Sequence, residues 1–425
     1  MFMYVTLVGP CHRVDGALYR ARGTTRPTGP QRQLPYRQVD FTDVPVPFAA
    51  SGGTVATSRP QRSRMPLTRR RSLALTAVLA ALCAAALTRP VPAHADAAAD
   101  RAALARWWAP VTFQDVDSTG ETALGGKSDY LTSYDYDGDL DGRDNWENTG
   151  RFPLAAHVYY SVVRTPSFSY LLYMYFHPRD WSDGVIDNYQ EDLTEHENDS
   201  EGVLEVIAHD GSAHGQLKAA ITVAHSNFYS WVPAGGDFTS GQESVDGTLK
   251  LQGDPHDDGH GRPFITQQPN THATWAEGYL SRERDQYANG DGIVYYPGTT
   301  AEVPSGSNDR DVQYTLTDIF APGGMWADRG LTTLFATPDN FAGDAGPDPY
   351  GAKCGAGGVL GPANGACDTD AANPPWAWDD ADDLPGRGYL ATNPAELVWD
   401  YFSWPGRPAA PDLAYTWDQY QGITS

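Results

Sequence analysis

Short β-type runs separated by turn residues dominate the chain from about residue 158 onwards. β-Branched, aliphatic and aromatic side chains fill these runs, and such residues fit a pleated, half-buried surface. Gly, Pro, Asn and Asp fall between the runs, as is typical of a sandwich or barrel. We therefore predict a mostly β fold, specifically an antiparallel β-sandwich with long loop excursions and a few short peripheral helices. The predicted strands are 158–164, 168–176, 203–207, 218–225, 247–252, 263–266, 292–296 and 312–319.

Two segments have helical patterns. Residues 97–108 are rich in Ala, Arg and Leu, which favour helix. Near the C-terminus, Asn393, Pro394 and Glu396 match the N-cap, N1 and N3 positions of a helix start. We expect the Asn393 side chain to accept a first-turn amide and the helix to lay an apolar face on the sandwich.

The first 95 residues have the pattern of a targeting region. Residues 1–64 are rich in Arg and Pro without a hydrophobic period, which indicates an over-extended gene start or a disordered extension. Residues 65–95 resemble a signal peptide, with Arg69–Arg71, an apolar run over residues 73–87 and a cleavage site at Ala93-His94-Ala95. That run is shorter than the roughly 20 residues of a membrane span. We predict a secreted (extracellular) protein with no transmembrane segment and a single mature domain over residues 96–425.

Charge excludes one class of partner. The chain has 30 Lys and Arg against 54 Asp and Glu, a formal charge of −24. Thirteen of the basic and three of the acidic residues precede Asp96, so the mature chain would carry −34. Nucleic-acid binding requires Lys and Arg at the phosphates, so we predict no nucleic-acid partner. Bound cations or a salt-adapted surface would each account for such a charge.

The four cysteines predict one crosslink. Cys11 and Cys83 precede the predicted cleavage site, which leaves Cys354 and Cys367. In an exported protein a disulfide between these two is the default expectation. Both lie in a Gly-, Pro- and Asp-rich excursion over residues 337–383, which is too long for a plain connection and is predicted to be a covering loop.

A polar segment that runs directly into a strand is the main candidate site. His196, Asp199 and Glu201 precede the apolar run 203–207. Residues two apart on a strand share a face, so Asp199 and Glu201 would point the same way and repel unless a proton or cation lies between them. A loop could fold His196 onto the same point, and such a set can hold a divalent ion. A solvated strand entry is the alternative.

Nearby residues extend this candidate site. The run 168–176 is aromatic on both faces and delivers a polar segment at its end. Asp180 and Asp187 lie close enough in sequence to supply another carboxylate, and the sequence does not choose between them.

A second acidic segment matches half of a calcium loop. Asp137, Asp139 and Asp141 alternate and Gly142 follows, as in the first half of such a loop. The twelfth position is Asn rather than the bidentate Glu, so another acid would have to complete the shell. The candidate ligands of this second calcium loop are Asp137, Asp139, Asp141, Asp144 and Glu147. A plain acidic turn is the alternative.

The spacing His-x-x-Asp-x-Glu at 196–201 resembles the central motif of the necrosis-inducing NPP1-like secreted proteins, Gly-His-Arg-His-Asp-Trp-Glu. It also resembles the Vps62-like β-sandwich proteins, a likeness that extends from about Trp107 to about Tyr401 and includes the acidic segment near residue 139. The first resemblance implies a divalent cation at His196, Asp199 and Glu201 in a membrane-glycolipid site. Asn198 and Ser200 depart from it, where that family has His and Trp.

By the same resemblance, His272 is a candidate second imidazole, because a strand in these families ends in a turn with a His that faces the metal motif. The alternative is a His that caps a turn with its ring nitrogens satisfied locally.

Three functions are compatible with these residues. The first is a secreted β-sandwich that binds a divalent cation, calcium or alternatively magnesium, and through it a glycan or lipid headgroup. The second is a metal-dependent hydrolase with Glu197 or His272 as general base. The third is a calcium-stapled scaffold without catalysis. The sequence does not decide whether the protein is an enzyme, and it leaves the oligomeric state open.

Overall fold

The computed structural model describes residues 93–119, 123–181, 196–276, 291–343, 373–381 and 383–424, with only the backbone for residues 93–97. Most regular structure in these ranges is β, which confirms the predicted mostly β class. The strands, numbered within the described ranges, are β1 Val111–Gln114, β2 His157–Arg164, β3 Phe168–Asp180, β4 His196–Ala208, β5 Gln216–Ala224, β6 Asn227–Pro233, β7 Thr239–Ser240, β8 Val245–Leu249, β9 Leu251–Gly253, β10 Gly261–Gln267, β11 Thr274–Ala276, β12 Ile293–Pro297, β13 Val312–Asp318, β14 Phe335–Thr337, β15 Asn340–Phe341 and β16 Phe402–Ser403.

The helices of the described ranges are short and peripheral, apart from the first. No helix in these ranges is both long and apolar enough to cross a membrane. The α-helices are α1 Ala93–Trp108, α2 Asn145–Asn148, α3 Met325–Asp328, α4 Tyr389–Thr392 and α5 Pro394–Tyr401, and two 3-10 helices cover Leu124–Asp129 and Pro375–Ala377.

Twelve strands form one mixed sheet. Its order is β11-β10-β1-β12-β13-β2-β3-β4-β5-β6-β8, and β9 pairs with β10. The pairs β1–β10, β12–β13, β13–β2 and β6–β8 are parallel. The edge strand β11 lies close to β6 near the other end of this order. The ring centroids of Trp275 in β11 and Tyr229 in β6 are 4.4 Å apart. The sheet is thus nearly closed on itself.

The antiparallel two-sheet sandwich is not confirmed. Alternating polar and apolar positions indicate which side chains of a strand are buried, but they carry no information about strand direction. The parallel pairs arise because strands distant in sequence, such as β1 and β10, become neighbours, and sequence pattern does not reveal such long connections.

Both faces of the central strands are buried, and they belong to two different cores. In β3, Tyr173 and Tyr175 join the core inside the curved sheet, whereas Met174 and Phe176 join the core on its outer face. Helices α4 and α5, with the 3-10 helix Pro375–Ala377, cover that outer face. Strand β3, whose run 168–176 is aromatic on both faces, therefore lies between the two cores.

The helix starts differ from those expected. Helix α1 begins at Ala93 rather than Ala97 and so includes the predicted cleavage site. Helix α5 begins at Pro394, but the Asn393 side chain makes no capping hydrogen bond. It donates instead to Glu396 and accepts from the Tyr415 hydroxyl. The predicted role of Asn393 as an amide acceptor is wrong, because the first-turn N–H of Ala395 donates to the Tyr415 hydroxyl instead.

Several predictions fall outside the described residues. These are the extension 1–64, the signal peptide 65–95 except for the start of α1, Asp187, the Cys354–Cys367 disulfide and most of the 337–383 excursion.

Candidate functional site

Strands β3 and β4 form an antiparallel ladder that carries the central motif. Glu201 pairs with Tyr175, Asp199 with His177, and His196 with Asp180. His196 thus lies in the strand and not, as expected, in a preceding loop. Residues Phe176 and Ser200 alternate to the outer face, so Asp199 and Glu201 share the inner face as predicted.

Asn198 interrupts this ladder. Its φ of 63° lies in the left-handed region, which Asn tolerates better than most residues. Its side-chain amide donates to the carbonyls of Gly142 and Ala342, and its oxygen accepts from Asn145. The residue that replaces the second His of the NPP1-like motif therefore joins three segments of the fold.

His196 presents a lone pair towards a carboxylate. Its Nδ1 lies 3.1 Å from the Glu197 carbonyl oxygen and donates to it, which assigns the lone pair to Nε2. Nε2 lies 3.5 Å from Oδ2 of Asp180 and has no hydrogen-bond partner among the described residues. Burial lowers the pKa of His196, so the imidazole is neutral. Two acceptors that face each other at this distance repel unless a proton or a cation lies between them.

Asp199 and Glu201 are fully buried, and each has one oxygen without a partner. Oδ2 of Asp199 is 2.5 Å from Nδ1 of His272, and Oε1 of Glu201 accepts the backbone N–H of His225 at 2.9 Å. Oδ1 of Asp199 and Oε2 of Glu201 have no hydrogen-bond partner in the described part of the chain. Burial, and then the nearby charge of Asp199, raise the pKa of Glu201 well above its ordinary value.

His272 is a link between two carboxylates. Its Nδ1 contacts Asp199 and its Nε2 lies 3.3 Å from Oδ1 of Asp129. Burial acts to lower the pKa of His272, but the bonds to Asp129 and Asp199 outweigh it and raise the pKa to about 9. Its ring stacks on that of His177 with centroids 3.7 Å apart. His272 is thus a cation that orients Asp199, with no ring nitrogen left for a metal.

Asp129, which the sequence analysis did not identify, anchors this arrangement. Its carboxylate accepts the Trp181 indole N–H at 2.7 Å and the backbone N–H groups of Asn270 and Asp117 at 2.9 and 2.8 Å. It lies in the 3-10 helix Leu124–Asp129, far from the motif in sequence, and its neighbours show no ligand spacing. His225 was missed for the same reason, whereas His177 belongs to the polar segment expected at the end of the run 168–176.

The predicted cation ligands are buried rather than at an open rim. Asp199, Glu201 and His272 have no exposed surface, and His196 and Asp180 are only 5% and 6% exposed. Their donor chemistry fits a divalent cation: one neutral imidazole and several carboxylates. They are not, however, among the groups of three described residues whose ligand atoms all lie within 4.8 Å of one another. An ion would have to draw them together.

One such close group lies in the second acidic segment. Ligand atoms of Asp137, Asp139 and Asp144 all lie within 4.8 Å of one another. Asp141 instead forms two bonds with the Arg143 guanidinium, at 2.8 and 2.9 Å, and Glu147 is exposed outside the group. The Asn148 amide donates to Asp137. Three of the five predicted ligands of this loop therefore converge.

A second close group involves residues that the sequence analysis did not choose. Asp257, Asp258 and His260 also have ligand atoms within 4.8 Å of one another. Arg262 already pairs with Asp257, and Nδ1 of His260 lies 2.7 Å from Asp258, so this group is satisfied internally.

Comparison with known proteins gives distant structural matches. No protein-family model and no curated protein sequence matches the chain. Among solved structures it is similar to the non-toxic HaNLP3 protein at 11% identity, covering 51% of this chain and 74% of that one, with a TM-score of 0.25. It is also similar to NLPPya in complex with glucosamine at 13% identity, covering 50% and 72%, with a TM-score of 0.25.

A third match is necrosis and ethylene inducing protein 2 from the causal agent of cocoa's witches' broom disease. The identity is 11%, the coverage 50% and 72%, and the TM-score 0.21. This third match is by name a necrosis-inducing protein, the kind that the motif resembles, but TM-scores this low carry no argument about this chain. The Vps62-like resemblance has no counterpart among these matches.

Proposed function

We propose that this protein is a secreted, cation-dependent binding protein. His196, Asp199 and Glu201, with Asp180 beside them, would hold one divalent cation, calcium or magnesium. The cation would supply open coordination positions for hydroxyl groups of a glycan or a lipid headgroup.

One observation carries this proposal. Three buried atoms of ligand type, Nε2 of His196, Oδ1 of Asp199 and Oε2 of Glu201, have no hydrogen-bond partner within the described ranges. A buried polar atom without a partner destabilises a fold by about 1–3 kcal/mol, and more when the group is charged. Three such atoms on one strand, β4, are accounted for together by a single cation.

The surrounding residues have supporting roles. The Asp129–His272 pair holds one oxygen of Asp199 and so turns the other towards the site. The His225 backbone N–H does the same for Glu201. Partners that orient ligating carboxylates in this way commonly matter nearly as much as the ligands.

The hydrolase alternative has less support. Oε1 of Glu197 accepts the Trp146 backbone N–H, and both ring nitrogens of His272 contact carboxylates. Both ring nitrogens of His272 and one carboxyl oxygen of Glu197 are thus already engaged by other groups. The purely structural alternative is favoured by the complete burial of Asp199 and Glu201, so the experiment must separate it from binding.

Calorimetric titration of chelator-treated protein with Ca²⁺, Mg²⁺, Mn²⁺ and Zn²⁺ tests the cation. We expect one-to-one binding that Glu201→Gln and His196→Ala abolish and Asp339→Asn, at an exposed carboxylate outside both close acidic groups, leaves intact. Retention on glycan arrays and lipid vesicles, with and without chelator, then tests the ligand. Unchanged metal binding in Glu201→Gln would overturn the site. Cation-dependent stability without any metal-dependent retention would replace the binding role with a structural one.

A further inference from the structure

A separate acidic cleft lies beside Asp129, which accepts the backbone N–H groups of two of its lining residues, Asp117 and Asn270. Its volume is about 510 Å³, within the range of small-molecule sites. Carboxylates of Asp115, Asp117 and Asp291 line it, together with Asn270 and Thr119. Among the described residues, no Lys, Arg or His belongs to this lining. The cleft is therefore strongly negative and large enough for an organic molecule.

Asp115 is the most unusual side chain in the cleft. It is only 6% exposed, yet it lines the cleft. Its Oδ1 accepts only the adjacent Val116 N–H, at 3.2 Å, and its Oδ2 has no hydrogen-bond partner in the described part of the chain. Burial raises the pKa of Asp115 to about 7, and Asp291 and Asp129 add to this effect. Asp115 is thus nearly buried in the wall of the cleft, with one carboxyl oxygen that forms no hydrogen bond to a described residue.

The other two carboxylates are fixed by local bonds. Ser118 donates to Oδ2 of Asp291 at 3.0 Å, and Thr119 donates its N–H and hydroxyl to Oδ1 of Asp117. Arg310 donates to the Asp291 backbone carbonyl and lies over the Phe113 ring, so it supports the cleft from outside the lining. The walls are thus held in place before any ligand arrives.

The spacing of these carboxylates does not suit a metal ion. A Ca²⁺ ion at 2.3–2.6 Å from each oxygen would bring its ligand atoms within about 5 Å of one another. Asp115, Asp117 and Asp291 are not among the described groups whose ligand atoms all lie within 4.8 Å of one another. Ammonium groups separated along a carbon chain can instead reach carboxylates that are further apart, each through charge-assisted hydrogen bonds.

We propose that this cleft binds a small organic cation with primary ammonium groups, of the polyamine class, through Asp115, Asp117 and Asp291. The net charge of −24 would favour the approach of such a ligand. This site is distinct from the proposed cation site, because it shares none of the ligands His196, Asp199 and Glu201.

Calorimetry with spermidine at physiological salt tests the proposal on the full chain. We expect one-to-one binding that Asp115→Asn and Asp291→Asn each weaken about ten-fold or more. Asp339→Asn removes an exposed carboxylate that does not line the cleft, and it should leave the affinity unchanged. Weaker binding in both cleft variants would show that the effect does not depend on one substitution. Thermal unfolding of each variant verifies that it folds.

Three results would overturn the proposal. Equal weakening by Asp339→Asn would reduce the interaction to net charge. Equally tight binding of a neutral diol of similar length would remove the role of the ammonium groups. Displacement of spermidine by Ca²⁺ that depends on Asp115 would make the cleft a metal site instead.

Discussion

His272 and Asp199 are 73 residues apart in sequence, and Nδ1 of the first lies 2.5 Å from Oδ2 of the second in a fully buried position. Asp129 contacts the other ring nitrogen, so one imidazolium is held between two carboxylates. The charge balance of this row of three residues, Asp129, His272 and Asp199, depends on each of them.

Replacement of the outer carboxylate, Asp129→Asn, should lower cation affinity by about 10–100-fold, because His272 would then be less firmly charged and would orient Asp199 less well. Metal titration by calorimetry measures the change. Asp311→Asn is the matched control, because Asp311 also contacts an imidazole, that of His256, but at the surface. Wild-type affinity in a folded Asp129→Asn protein would contradict the proposed role of the row.

Glu205 gives a pH-dependent prediction away from the candidate site. It is fully buried, neither carboxyl oxygen has a hydrogen-bond partner among the described residues, and burial raises its pKa well above 4.5. The folded state therefore binds the proton more tightly than the unfolded state. The contribution of this group to stability is most favourable below about pH 4.5 and is lost as pH rises towards the folded-state pKa.

Glu205→Gln should consequently unfold at a higher temperature than the wild type at pH 8, and the difference should shrink as the pH approaches 4. Melting curves across this pH range measure it. Glu302→Gln is the control, since the Glu302 carboxylate accepts the Gln313 N–H and should gain nothing from neutralisation. A pH-independent difference between the Glu205 variant and the wild type would refute the argument.

Gly202 should be intolerant of a side chain. A Cβ at this position would lie 2.1 Å from the Tyr173 carbonyl oxygen and 2.8 Å from the Trp378 ring. Overpacking of this kind costs about 1–3 kcal/mol, so Gly202→Ala should reduce the free energy of unfolding by at least that amount in urea titrations. Gly306→Ala, where nothing lies within 4 Å of the added atom, should be nearly neutral. Equal stability of the two variants would contradict the packing.

Asp144 tests the second acidic segment. Burial, followed by the charges of Asp137, Asp139 and Asp141, raises its pKa. In chelator, Asp144→Asn should raise the melting temperature because it relieves this repulsion. If the segment holds calcium, added Ca²⁺ should stabilise the wild type more than the variant. Asp339→Asn supplies the exposed control, and an identical calcium response in all three proteins would make the segment a plain acidic turn.

The sequence predicted the strands that have strong β patterns. The run 158–164 corresponds to His157–Arg164, and 218–225 to Gln216–Ala224, within two residues at each end. Strand β1, with four residues, was missed because so short a run has little pattern. Strand β4 was predicted from residue 203 but begins at His196, since its polar half looks like a loop until its pairing with β3 is known.

Only the part of the site that lies on a single strand could be predicted from the sequence. Spacing along one strand was enough to place Asp199 and Glu201 on a common face. Asp129 and His225 reach the site through tertiary contacts across long stretches of chain, which spacing cannot reveal. Burial was also not foreseen, because charged side chains are rarely buried unless they are paired, and the pairing partners lie in other segments.

Strand β4 contains the candidate ligands in its first half and core residues such as Val203 and Ile207 in its second. Because neighbouring side chains on a strand point to opposite faces, a slip of one residue against β3 would move Asp199 and Glu201 to the outer core and expose apolar groups to the inner one. Only glycine fits beneath the Trp378 ring at position 202, so this residue favours the observed pairing of β4 with β3. Assembly of the core and assembly of the ligand set are therefore a single event, and a misaligned chain would lose both together.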